Sequence, residues 1–147
     1  MPSLMNSVNK TARSARMHRD ALLSQEALCG NQPVFLLLIC RNPGISQEQL
    51  AKRMFINKSN VTRQLAVLEQ NGFITRSAKV GDKRVLQIFP SEKALSLCPK
   101  VQEVLREWNE YLLADFAPEQ RELFLTMMQQ VAQKAMARVE LEELESE

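Results

Sequence analysis

The chain has 147 residues, 45% hydrophobic and 24% charged, which suits one cored domain and excludes disordered, collagenous and disulfide-stapled classes. Its longest apolar run, residues 34–40, is far short of the roughly 20 residues of a membrane span, and its polar start with Arg13, Arg16 and Arg19 reads as no signal peptide. Formal net charge is +2, but residues 1–40 carry +2, residues 41–84 carry +6 and residues 85–147 carry −6, so the cationic surplus is concentrated in the middle.

Leu4, Val8, Ala12 and Ala15 begin a helical stripe that Leu22, Leu23, Ala27 and Leu28 continue, predicting a long first helix that ends at Gly30. Residues 34–40 follow Pro33 as a short buried helix. Asn42, Pro43 and Gly44 then signal a turn, after which Ser46 can cap a helix and Gln49, three residues on, can return the reciprocal bond. This helix starts near Gln47, buries Leu50, Ala51 and Met54, and runs out at Phe55 and Ile56. Asn57 is suited to cap the next helix, leaving a turn of roughly 3 to 4 residues, as a helix-turn-helix requires.

In that next helix Val61, Leu65 and Leu68 share one face and predict the core side. Ser59 and Arg63 project the opposite way, flanked by Asn60, Thr62 and Gln64. Arginine can bond bidentately to guanine O6 and N7, glutamine and asparagine to adenine N6 and N7, and serine or threonine to either kind of group. Asn71 and Gly72 stop the helix. Residues 73–77 and 85–89 alternate apolar and polar, predicting two strands joined by a hairpin tip at residues 78–83. Arg76, Lys79, Lys83 and Arg84 place four cations on or beside this ribbon, as expected of a wing gripping phosphates or entering the minor groove. Asp82 would repel phosphate, so its expected task is to hold Arg84 or the hairpin backbone in one orientation.

Ser91 can cap a further long helix whose Ala94, Leu97, Val101, Leu105, Trp108 and Leu112 recur at steps of three and four; Pro99 falls inside it and predicts a kink, not a stop. A last helix starts near Pro118, with Leu123, Phe124, Met127, Met128, Val131, Ala135 and Val139 as its apolar face. A winged helix of about 60 residues can bury its own core, so amphipathic helices at both ends need another surface, and a second copy of the chain supplies it most simply. The expected fold is mainly α (α+β): one domain over residues 1–147, with a winged helix-turn-helix at residues 33–90 and a helical dimerisation lobe from residues 1–30 and 91–147.

The motifs Leu50-Ala51, Lys58-Ser59-Asn60-Val61-Thr62-Arg63, Leu68-Glu69, Gly72-Phe73-Ile74 and Asp82-Lys83-Arg84 resemble the MarR family of bacterial transcriptional regulators. The resemblance is close over the central third. It implies a homodimer on a palindromic operator, usually repressing until a small ligand or cysteine oxidation releases it. Two departures are the lack of a glycine in the helix-helix turn and a short wing tip. The resulting expectation is a cytoplasmic, homodimeric, sequence-specific binder of double-stranded DNA, with no membrane partner, no cofactor and no catalytic residue. Ser46, Gln47, Lys58, Ser59, Asn60, Thr62, Arg63 and Gln64 form the reading helices, Arg76, Lys79, Lys83 and Arg84 the wing, and Asp82 orients it.

Trp108 and the methionines pose two alternatives, core packing or a pocket for an aromatic or amphipathic effector. The three cysteines, Cys29, Cys40 and Cys98, form no CxxC pair, so neither a disulfide framework nor structural zinc is expected; Cys40 and Cys98 lie in apolar patterns as core residues. Cys29 stays open as the thiol of a redox-responsive regulator, although its neighbours Leu28, Gly30 and Asn31 supply no cation to activate it. His18 is the sole histidine, too few for a metal site or for general acid-base work. A winged helix serving as a protein-interaction module is the other reading, in which the basic face meets an acidic partner.

Overall fold

The computed structural model describes residues 3–146. They form α1 (Leu4–Leu23), a single 3-10 turn (Ser24–Glu26), α2 (Gln32–Arg41), β1 (Ile45–Ser46), α3 (Gln47–Met54), α4 (Lys58–Gln70), β2 (Ile74–Lys79), β3 (Asp82–Pro90), α5 (Glu92–Leu112) and α6 (Pro118–Ser146). The chain divides into two compact units, one up to Trp108 and one from Asn109.

In the first unit Phe35, Leu36 and Ile39 of α2, Leu50 of α3, Val61, Leu65 and Leu68 of α4, Phe73, Ile88 of β3 and Val101 of α5 are all fully buried. Each leucine so placed contributes about 1.5–3 kcal/mol relative to exposure, and these side chains pack α3, α4 and the wing together. The sheet has the order β1-β3-β2, with both pairings antiparallel. Strand β1 pairs Ile45 with Ile88 and Ser46 with Gln87, an addition that two residues were too short to signal in sequence.

Three predicted boundaries move. The first helix stops at Leu23, not Gly30: Ala27 adopts φ 58°, a left-handed conformation in which its N–H bonds back to Ser24 O, and Leu28 N–H bonds to Leu23 O. The second helix begins at Gln32, with Pro33 inside its first turn, where a missing N–H costs nothing. The hairpin tip shrinks to Val80 and Gly81, because Lys79 pairs with Asp82 through an irregularity after Ala78 and Gly81 takes φ 90°. Helix α5 runs through Pro99 uninterrupted.

Cysteine pairing is also corrected. Cys40 of α2 and Cys98 of α5 are joined by a disulfide across 58 residues, whereas the sequence placed them as packing residues. Two isolated cysteines on different helices carry no spacing signal; only the packing of α5 on α2 brings them together. Cys29 is free and exposed.

In the second unit Arg121 donates to Phe116 O (2.8 Å) and Ala114 O (3.1 Å), closing the turn before α6, while Phe116 stacks on Phe124 at 6.1 Å. The apolar residues of α6 occupy more than the single stripe expected. Leu123 and Leu125, 61% and 50% exposed, lie on opposite sides of a helix that turns about 100° per residue. None of the helices in the described residues is long and apolar enough to cross a membrane.

Candidate nucleic-acid interface

Helix α3 opens with the capping box expected: Gln49 N–H donates to Ser46 Oγ (3.1 Å) and Ser46 N–H to Gln49 Oε1 (3.0 Å). The Ser46 hydroxyl oxygen accepts the cap bond and its O–H stays a donor. The three-residue turn to α4 is made without glycine by Phe55, which takes φ 52° and lets Ile56 N–H reach Ala51 O. This left-handed residue costs backbone strain that the surrounding core must hold.

Asn57 caps α4 through Oδ1, which accepts from Asn60 N–H (2.8 Å) and from the Ser59 hydroxyl (2.9 Å). Thr62 donates its hydroxyl to Lys58 O (2.9 Å) and accepts from the Gln47 amide, tying α3 to α4. Lys58, Ser59, Thr62 and Arg63 are exposed, and Asn60 and Gln64 are half-buried. Among the described residues, no ion-pair partner neutralises Lys58 or Arg63. Val61, Leu65 and Leu68 occupy the buried side of the same helix, so the polar and apolar faces are separated as the sequence period requires.

On the wing, Lys79, Lys83 and Arg84 are exposed, and the Arg84 side chain is 95% so. Asp82 Oδ1 accepts from the Arg84 backbone N–H at 3.1 Å and lies 3.6 Å from its guanidinium. Arg76 is placed differently from the other three. Its guanidinium makes a two-pronged bond to Glu69 at the end of α4, Nε to Oε2 at 2.8 Å and Nη2 to Oε1 at 3.2 Å, with the side chain only 22% exposed. Arg76 thus struts the wing against α4. Glu69 entered the sequence reading only within the Leu68-Glu69 motif, without a role; the remaining signal was an acid at the end of a helix followed by a basic strand.

That hydrogen bond holds the Glu69 carboxyl below, and the Arg76 guanidinium above, their ordinary ranges. A carboxylate depressed in the folded state stabilises above its unfolded pKa and loses that contribution as pH falls through the folded one. The strut should therefore survive neutral and mildly acidic solution and open only below the usual glutamate range. An NMR titration of the Glu69 carboxyl carbon checks this, and a midpoint at the ordinary glutamate value would refute it. Because the pair is partly exposed, its loss should cost at most about 1 kcal/mol.

Trp108 stacks on His18 at 4.6 Å, joining α1 to α5. An open cavity of about 370 Å³ lies elsewhere, between α1, the segment before α2 and α4, with Arg16, Cys29, Gln32, Asn60, Arg63 and Val67 among its walls. No group of three or more His, Cys, Asp or Glu among the described residues could hold a metal ion.

The MarR family model matches residues 31–86, the stretch from the start of α2 to the middle of β3. A Bacillus subtilis (strain 168) protein, the uncharacterized HTH-type transcriptional regulator YybA, is 25% identical over 131 residues, covering 89% of this chain and 87% of its own. The crystal structure of MarR superposes with a TM-score of 0.81 at 28% identity, covering 93% of each chain. A putative MarR family transcriptional regulator from Listeria monocytogenes, crystallised with a 26mer DNA, superposes with a TM-score of 0.88 at 23% identity, covering 94% of this chain and 92% of that one. Residues 31–86, matched by the MarR family model and folded as a winged helix, make this chain similar to the MarR-family transcriptional regulators.

Proposed function

We propose that the protein is a homodimeric repressor that reads a pseudo-palindromic duplex operator with α4 and the wing, and that a small ligand releases it. The observation that carries the reading is the polar face of α4. Ser59 and Arg63 stand opposite the buried Val61, Leu65 and Leu68, with the half-buried Asn60 and Gln64 on the flank between, and the exposed Lys79, Lys83 and Arg84 extend the cationic surface along the ribbon. Arg63 reads base edges with Ser59, Asn60 and Gln64; Lys58 and Thr62, and on the wing Lys79, Lys83 and Arg84, meet the backbone. Ser46 and Gln47, at the start of α3, contact the same duplex beside α4, and Gln47 also donates to Thr62. The Listeria neighbour's complex with DNA supports the same partner. The exposed apolar residues of α6 support the dimer, and the cavity beside Asn60 and Arg63 offers an aromatic or amphipathic effector a place where binding would compete with DNA.

Selection from a random duplex pool tests the reading and should return an inverted repeat with half-sites one helical turn apart. Arg63→Ala should then weaken the selected site by about 1–3 kcal/mol and relax one base position in each half-site. Lys79→Ala should weaken all duplexes alike and flatten the salt dependence by about one unit of slope. Unchanged affinity and slope in both variants, measured across a salt series, would sink the assignment; indifference to any duplex at low salt would favour a protein partner for the basic face.

A further inference from the structure

Gln32 is the one buried polar side chain among the described residues, 5% exposed at the start of α2. Burying a carboxamide is unfavourable unless its oxygen and nitrogen are both bonded. Here both are. Gln32 Oε1 accepts from the Cys29 backbone N–H at 3.0 Å and faces the Cys29 thiol at 3.7 Å. Gln32 Nε2 donates to Gln64 Oε1 on α4 at 3.1 Å, and Gln64 Nε2 in turn donates to Asn60 Oδ1 at 3.5 Å.

The direction of this chain has a chemical consequence. Since the Cys29 N–H can only donate, the Gln32 oxygen must face it, so the Gln32 amino group must face Gln64. That turns the Gln64 oxygen inward and its amino group toward Asn60, whose oxygen is then engaged as well. What Asn60 and Gln64 are left to present outward is mainly N–H. We propose that Gln32 is a positioning residue that fixes these two amides as donors, biasing α4 toward base edges rich in acceptors, such as guanine N7 and O6 or thymine O4. A freely rotating glutamine would instead suit the donor-and-acceptor edge of adenine. The inference rests on the reading of α4 as the DNA-reading helix and adds to it a residue that touches no base.

Gln32→Met keeps volume and apolar packing while removing both ends of the relay. In the free protein, the buried Gln32 side-chain amide, donor to Gln64 Oε1, should show one slowly exchanging, shifted N–H resonance by NMR that Gln64→Ala abolishes, and Gln32→Met should move the Gln64 amide resonances; an unchanged Gln64 amide overturns the positioning role whether or not DNA is bound. With selected duplexes, Gln64→Ala identifies the base pair concerned. At that pair Gln32→Met should lower the preference for guanine or thymine by about tenfold, with the salt slope unchanged. The double variant should be no less selective than Gln64→Ala alone. If Gln32→Met lowers only thermal stability and leaves base preference intact, or if the two losses multiply independently, the proposal fails. A wild-type protein that selects no consensus, yet shows the Gln32 amide signature, would instead count against the DNA-reading assignment.

Discussion

Glutamate at both Leu123 and Met127 should turn the protein into a monomer and reduce its affinity for an inverted-repeat duplex by about 10²- to 10⁴-fold, the loss expected when two linked half-sites become independent. The two residues lie one helical turn apart on α6, 61% and 54% exposed in the single chain, and Val131 continues the row. Exposed apolar surface of this extent is a cost to a protein that remains alone in water. Burying it against a second copy removes that cost, and a two-fold pair would hold its two α4 helices about 34–36 Å apart, matching one turn of B-DNA. Two carboxylates facing two more across the symmetry axis cannot be buried without partners, so the variant should not pair. Sedimentation equilibrium and duplex titration read the outcome together. A variant that stays dimeric and binds as the parent does would remove α6 from the interface. Because exposed substitutions barely alter a lone chain, helix content should persist, and the melting temperature should stop rising with protein concentration.

Much of this architecture was legible because it is local. The Ser46 and Gln49 box, the Asn57 cap, the Val61, Leu65 and Leu68 stripe and the Pro118 start all follow from residues within a turn or two of each other, and each sits where its spacing placed it. The features that escaped are those decided by distant chain segments. Strand β1 exists only because β3 passes beside it, Cys40 meets Cys98 only once α5 has packed on α2, and Glu69 finds Arg76 only when the wing folds back. Gln32 is the sharpest case. In sequence it is one polar residue before an apolar run, and nothing local tells that Gln64, 32 residues later, completes its hydrogen bonding. The end of α1 was missed for a different reason. Its apolar period carries on past Leu23 while the backbone leaves the helix, since Ala27 takes a left-handed conformation that sequence statistics assign to glycine or asparagine.

The two faces of α4 permit the second large prediction. Leu65→Ala should destabilise the protein by about 2–5 kcal/mol, because the leucine is fully buried and its removal both forfeits transfer energy and leaves a cavity. Against a total stability of about 5–15 kcal/mol for a domain, this is enough to unfold a substantial fraction of it on modest warming. Chemical denaturation would show the midpoint falling with little change in slope. The neighbouring Arg63→Ala should leave the same midpoint within about 0.5 kcal/mol, since the guanidinium is exposed and engaged by no carboxylate among the described residues. Duplex binding should respond in the opposite way. Below its melting transition Leu65→Ala should retain the parent's base preferences, with affinity reduced only by the unfolded fraction, whereas Arg63→Ala should lose preference at full stability. If Leu65→Ala shifted the selected sequence while fully folded, packing beneath α4 would be setting the angle at which the helix meets DNA, and the separation of scaffold from reading face would have to be abandoned.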